Sequence, residues 1–461
     1  MNLVKTLLAS SLIAVLTWSV SAKEMPPAGG TPGDFTVPAT QEITLENGLK
    51  VTFIPYGSTP KATVRLVTNT GNIDDDEQVW LADLSFDMLR QGTTSQSAKA
   101  LAEAVASMGG EINTSVGMDS SFIGMDVLGE FTPDAVGVLA DMVMNASFAE
   151  ADLARLKTDS QRNLAVQKSS PSGIATEAFY QSIYGNHPYG RLYPTTESLA
   201  ALTVDDTKTF ISSNLVPNRS HLYVSGVFDQ TAVSKAVKAA FADWQAGEAR
   251  AAKTVLTKPG PTLELIEREG APQSTLRLGL ATVDATHPDY TKLSVMNTLL
   301  GGAFSSRITT NIREDKGYTY SPRSAVVDRV GSAVWYEGAD VTAEVTGASL
   351  VEIFKEIELL ASEAPTAEEL KGVQNYMAGI FVLRNSSRSA IISQLAFLEL
   401  HGLDKTYLTD YVQNVHGVTP EEVSNIARKY LDSASMHLTI VGDTATVTPQ
   451  LKEVKALEAY Q

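Results

Sequence analysis

The chain contains no cysteine. A disulfide scaffold, a thiolate zinc site, an iron–sulfur cluster, a thiol nucleophile and a lipidated N-terminal cysteine are therefore excluded. Histidine is scarce, with six in 461 residues. His187, His221, His287, His401, His416 and His437 show no i,i+3 or i,i+4 pairing, so no helix face presents two of them to one metal. Beyond the N-terminus, no stretch approaches the roughly 18 uncharged apolar residues of a membrane helix. G-x-x-x-x-G-K-[ST], G-x-G-x-x-G and G-x-S-x-G are all missing, which removes a phosphate loop, a dinucleotide fingerprint and a serine-hydrolase elbow. Basic residues are in deficit: 36 Lys+Arg stand against 53 Asp+Glu, a net charge of −17. Such a field repels nucleic acid and anionic membrane surfaces as main partners.

What remains is ordinary globular material, 43% hydrophobic and 19% charged, able to bury a sizeable core. Residues 1–22 read as a cleaved secretory signal. Lys5 gives the basic start, residues 7–20 the apolar run, and Val20-Ser21-Ala22 the small-residue cleavage site. Export to the periplasm or beyond is expected, with no stable membrane span after cleavage. Residues 23–41, rich in Pro and Gly up to Pro38, read as a flexible lead-in.

The rest is a duplication. Thr203 aligns with Thr419, Asp206 with Glu422, Leu215 with Leu431, His221 with His437 and Gly226 with Gly442, all at an offset of 216. Leu84 through Gly92 lies on Leu293 through Gly301 at an offset of 209. Two halves follow, residues 42–245 and 262–461, joined by a linker at 246–261. In the first half, strand-like alternation over 42–55 and 61–69 precedes helical periodicity over 78–91 and 98–107. Residues 111–128 return to β composition, and long helices are predicted over 132–145 and 150–167. The second half repeats this, with strands near 263–267 and 274–280 and helices over 290–300, 347–362 and 367–384. Strand runs beside helix runs indicate an α+β fold, with antiparallel-rich sheets layered against helices in each half.

Leu81-Ala82-Asp83-Leu84-Ser85-Phe86-Asp87-Met88-Leu89-Arg90-Gln91-Gly92-Thr93, Leu299 through Arg307, Arg313 through Tyr320 and the ending from Thr419 to Asp443 carry a family resemblance. The chain resembles the insulinase/pitrilysin family of zinc peptidases, the inverzincins, from about residue 42 to the C-terminus. The resemblance implies two homologous α+β halves that enclose a peptide-binding chamber. Its catalytic signature is H-x-x-E-H, two histidines on one helix face with a Glu as general base. Here the matching positions hold Asp83, Phe86 and Asp87. A phenyl ring can neither accept nor relay a proton. The family's third ligand is a Glu on a downstream helix, and the corresponding stretch, Gln161 to Gln167, has no acidic residue. A solvated acidic helix face, beside Asp74-Asp75-Asp76-Glu77, is the expected setting of Asp83 and Asp87. No metal and no cofactor bound by this chain is expected; zinc would sit in a partner subunit.

The resemblance also implies a retained element. Arg313 and Tyr320 match an Arg followed seven residues later by a Tyr, which in catalytic members or complexes reach the substrate near the zinc; Tyr318 is a local register alternative. A guanidinium offers donors to a peptide carbonyl, and a phenol can donate to a developing oxyanion. Gly301-Gly302 allows a tight turn or a close backbone approach. These readings imply a non-catalytic, substrate-binding subunit of a heteromeric zinc metallopeptidase. It would be inactive alone, and a partner with an intact H-x-x-E-H would supply the catalytic half. The alternative is a non-proteolytic peptide-binding or scaffold protein of the same fold.

Overall fold

Alternation over residues 42–55 predicts one strand, but the chain makes two. β1 (Gln41–Thr44) and β2 (Lys50–Pro55) form a hairpin. Asn47-Gly48 turns the chain, Leu45 N–H donates to Leu49 O, and Asn47 Nδ2 ties the turn to the carbonyls of Phe241 and Trp244. The Asn-Gly turn signal outweighs the alternation. Residues 111–128 split likewise into β4 (Glu111–Val116) and β5 (Ser121–Leu128) around a turn closed by Gly117 N–H and Ser120 O.

This computed structural model describes residues 35–251 and 253–460; the secretory signal expected over 1–22 lies outside the described residues. With β3 (Lys61–Thr68) and β6 (Ser220–Gly226), the first sheet has the order β1-β2-β6-β3-β5-β4. The second contains β7 (Thr262–Glu267), β8 (Gln273–Thr282), β9 (Arg323–Arg329), β10 (Ser332–Thr342) and β11 (His437–Gly442), in the order β7-β11-β8-β10-β9. Apart from β1 the two sheets are copies. In each, a parallel pair (β2 with β6, β7 with β11) is followed by antiparallel neighbours.

The aligned residues have local reasons for matching. Thr203 and Thr419 each close a capping box, with Asp206 and Glu422 respectively, at the start of equivalent helices. Gly226 has φ +138° and runs so close to β3 that a Cβ would stand 2.2 Å from Lys61 O, a contact only glycine tolerates. Helices Leu81–Met88 and Tyr290–Asn297 occupy equivalent places, with Leu84 and Leu293 fully buried. The helix predicted over 290–300 stops at Asn297 and continues as one wider turn, Thr298–Gly302. There Gly301 lies so close to Glu337 and Ser324 that a Cβ would meet their side-chain oxygens at 2.6 Å.

The halves exchange helices. Helix Pro171–Tyr184 of the first half packs on β8 and β11 of the second, while helix Arg388–His401 of the second packs on β3 and β6 of the first. One contact is an apolar cluster of Phe179, Tyr180, Ile183, Tyr184, Tyr189 and Val334, the other of Ile54, Tyr223, Ile391, Ile392, Leu395 and Leu398. Each fully buried aliphatic side chain stabilises this joint by roughly 1.5–3 kcal/mol. The halves are thus joined through two apolar clusters. Polar ties flank them. Glu399 accepts from Lys50 Nζ at 2.8 Å and Tyr223 OH at 3.0 Å, and is paired with His221 Nδ1, whose Nε2 meets Thr52 Oγ1 at 2.7 Å. His437, at the repeat position, meets Thr262 Oγ1 at 2.8 Å.

Residues 246–261 carry neither helix nor strand among those described, yet they are strapped down. Arg250 reaches Asp74 at 3.4 Å, Lys253 Nζ reaches Asp76 at 2.9 Å, and Lys258 N–H donates to Ile183 O. Of the lead-in expected to be flexible, Phe35 and Val37 pack on the second half, with Phe35 edge-on to Phe381.

Candidate functional site

The helix bearing the catalytic-signature positions starts from a strained residue. Trp80 has φ +71°, and its N–H and that of Ala82 both donate to Asp75, at 2.9 and 2.8 Å. Asp75 thereby caps the helix N-terminus, where backbone N–H groups are otherwise unpaired. It is 3% exposed, and burial pushes its carboxyl up to about 7. Asn72 Nδ2 donates to both Asp75 (3.0 Å) and Asp83 (2.6 Å).

Asp83 and Asp87 are not on the solvated face expected of them. Both are half-buried. Burial raises Asp83 to about 6, despite the Asn72 hydrogen bond and with Asp87 adding to the rise. Burial also raises Asp87, which Arg90 and Arg155 partly offset. The neighbouring acids have their own partners: Asp74 is paired with Arg219 and Arg250, Asp76 with Lys253 and Glu77 with Arg191. A run of four acids looks solvated in a sequence, but capping and pairing turn Asp75 and Asp74 inward, while Asp76 and Glu77 stay exposed.

Phe86 is 1% exposed, inside the first half's core. Helix Glu150–Ser169 packs across this helix, and there Gln167 Oε1 accepts from Tyr193 OH at 3.1 Å. Among the described residues no group of three or more His, Cys, Asp or Glu side chains is arranged to hold a metal ion. Two half-buried carboxyls on either side of a buried phenyl ring do not fit a zinc centre, which takes three protein ligands and leaves an open position.

Arg313 and Tyr320 lie in the second half. Arg313 sits in a wide helical turn, Thr310–Asp315, and pairs with Glu314 at 2.7 Å. Its guanidinium lies between two rings, 4.3 Å from the centroid of Phe304 and 5.2 Å from that of Tyr320, within cation–π range of both. Tyr320 is 81% and Phe304 72% exposed. Tyr318, the register alternative, packs on the second half's core. The segment is held to β10 by a bridge between Thr319 and Val341 and by Thr319 Oγ1 donating to Asp340 O at 2.7 Å. The Phe304 loop is anchored by Arg307, bidentate to Glu369 at 2.7 and 2.8 Å. Phe304 lies within the stretch Leu299 through Arg307 and carries no role in the sequence reading; a phenyl ring between a glycine pair and two serines is the available signal. The structure brings Arg313 and Tyr320 together with Phe304. Their polar and stacking partners are in their own half, as Asp83's Asn72 is in the other.

A duplicated α+β unit with one antiparallel-rich sheet and its helices in each half defines a peptidase-like fold. The chain belongs to the insulinase family, peptidase family M16. Residues 51–196 match the profile for insulinase (peptidase family M16), and residues 201–377 that for the peptidase M16 inactive domain. It is 27% identical over 402 residues to the uncharacterized zinc protease YmxG of Bacillus subtilis, covering 84% of this chain and 95% of that one. An uncharacterized zinc protease of Rickettsia felis is 25% identical over 280 residues, 60% of this chain and 67% of that one. Among solved structures, a peptidase M16 inactive domain from Pseudomonas fluorescens aligns with a TM-score of 0.80 at 23% identity, covering 88% of this chain and 98% of that one. A protease from Helicobacter pylori gives a TM-score of 0.80 at 19% identity, covering 88% and 100%. Among the described residues, no helix is long and apolar enough to cross a membrane.

Proposed function

We propose that this chain is the non-catalytic, substrate-binding subunit of a two-chain periplasmic zinc metallopeptidase acting on peptides. A partner with an intact H-x-x-E-H holds the zinc, and this chain contributes Arg313 and Tyr320 to the bound substrate. One asymmetry carries the reading. The first half has Phe86 sealed in its core where a base would stand, while the second half holds Arg313 between two exposed rings with Tyr320 open to solvent. Phe304 and Tyr320 bury little of their rings and so stabilise the fold little, and binding is the better account of their exposure beside a largely covered guanidinium. In this reading the partner supplies the facing wall of the peptide chamber, and the two apolar clusters that join the halves of this chain hold its own wall together.

The test is to assay peptide hydrolysis and bound zinc for the mature chain alone and mixed with the candidate partner. Turnover on mixing alone, lost in Arg313→Ala and Tyr320→Phe, supports the reading. Stoichiometric zinc with turnover by the lone chain refutes it. Absence of turnover in every mixture leaves the scaffold alternative.

A further inference from the structure

The second half contains a cavity of about 550 Å³, apart from Arg313 and Tyr320. Helices Ala367–Arg384 and Arg388–His401, the wide turn after Asn297 and strand β9 wall it. Its volume lies in the range of small-molecule sites, ~300–1,000 Å³. Three observations describe what it would take.

First, its charge is opposite to that of the chain. The protein carries a net −17, yet no Asp or Glu lines this cavity, while Arg323 and Arg384 do. Neither arginine is in an ion pair among the described residues, and both side chains are exposed. The nearby carboxylate of Asp328 is already paired with His401 at 2.7 Å. Two guanidiniums facing an acid-free cavity form a ready receptor for a carboxylate, which Arg binds in a forked, directional way.

Second, Asn385 lines the cavity at 3% exposure, and neither its Nδ2 nor its Oδ1 has a hydrogen-bond partner. A buried amide with both donor and acceptor unused is costly, and such groups in native proteins call for an explanation. Its natural complement is another amide, which offers one acceptor and one donor side by side. Third, the remaining wall is aromatic: Phe381 is stacked on Tyr411 at 4.0 Å, Phe397 lies 5.9 Å from Tyr407, and Tyr376 is half-exposed at the rim.

We propose that this cavity is a receptor for a free peptide C-terminus: the terminal carboxylate lies on Arg323 and Arg384, the last peptide group pairs with Asn385, and the last side chain, apolar or aromatic, stands among the rings. A simple organic anion would satisfy the arginines and rings but not the amide, so the orphan Asn385 is what selects a peptide. This site is separate from Arg313 and Tyr320, and the inference does not depend on the two-chain reading.

The experiment uses the mature chain alone and three probes: Gly-Gly-Phe labelled at its amino end with a free carboxylate, the same peptide amidated, and 3-phenylpropionate. Binding is followed by anisotropy for the labelled peptides and by competition for the acid. The free-carboxylate peptide is expected to bind about tenfold or more tightly than the amidated one, the loss expected for a charge-assisted pair. The Arg323→Gln, Arg384→Gln double variant should erase that preference; both side chains are exposed, so folding is spared. Asn385→Leu should remove the advantage of the peptide over 3-phenylpropionate while keeping that of acid over amide. Arg313→Ala should leave the preference for the free carboxylate over the amide in place, which separates this site from the one above. Equal binding of acid and amide, indifference to the double arginine variant, or no binding at millimolar peptide would each overturn the proposal. Binding of 3-phenylpropionate as tight as the peptide would overturn the peptide assignment.

Discussion

Glu399 is the point at which a single atom change should loosen the joint between the halves. It sits on the exchanged helix Arg388–His401, while its partners Lys50, His221 and Tyr223 belong to the first half. Burial alone would push its carboxyl up, but His221 and Lys50 outweigh burial and hold it at about 2, below the ordinary 4.5. Holding a carboxyl that far down stabilises its charged form by roughly 3 kcal/mol. Lys50 is more than half exposed, so solvent screening brings the share felt in folding to about 2 kcal/mol. Because the folded-state value is depressed, this contribution is fully present above pH 4.5 and is lost as pH falls towards 2. Glu399→Gln keeps the shape and one acceptor but removes the charge. Urea unfolding followed by the fluorescence of Trp80, Trp244 and Trp335 should show the variant weaker by about 2 kcal/mol at pH 7. The gap should close between pH 4.5 and 2. A difference below about 0.5 kcal/mol at pH 7, the level of an ordinary surface change, would refute the reasoning. So would a gap that persists unchanged at pH 2.

Asp83→Asn should act in the opposite sense. Burial raises Asp83 to about 6, so wild type loses stability as pH rises from about 4 to 6; the variant, which keeps an acceptor for Asn72, should exceed wild type by about 1–2 kcal/mol at pH 8, and not at pH 3.5, in the same urea assay. Phe86→Ala opens a cavity in the first half's core and should cost about 3–5 kcal/mol of unfolding free energy; a cost near zero would mean that Phe86 is not the packed plug described. Tyr320→Phe, by contrast, should move thermal or urea stability by less than about 0.5 kcal/mol, so any loss of peptidase activity it causes in a mixture is not a folding defect.

Much of the fold was legible because its signals are local. The Thr203 and Thr419 capping boxes are fixed by neighbours within a few residues, and the duplication preserved them together with Gly226 and the buried Leu84 and Leu293, whose partners lie further off. That Asp83, Phe86 and Asp87 share one helix was equally readable from spacing, whereas their match to H-x-x-E-H comes from the resemblance. Their environment was not. Whether an acid in a run of acids faces water depends on which backbone N–H groups need it, and Asp75 is buried because Trp80 and Ala82 donate to it. The exchange of helices left no trace in spacing, because it pairs each helix with a sheet some 200 residues away in the other half. Phe304 was missed for a related reason: an isolated phenylalanine reads as core, and only the fold reveals that it lies open beside a guanidinium.

The exchanged helices also bear on the ancestry of the molecule and on how it can be dissected. Cut at residues 246–261, the first half would carry Phe179, Tyr180, Ile183 and Tyr184 on a helix with no sheet beneath it, and its own sheet would bare Ile54 and Tyr223. The simplest remedy for both exposed faces is a second copy of the same fragment, each lending its helix to the other. An isolated half should therefore be recovered as a swapped dimer or as aggregate, not as a monomer. By the same logic, the unit that was duplicated already worked as a pair before its two copies were joined into one polypeptide.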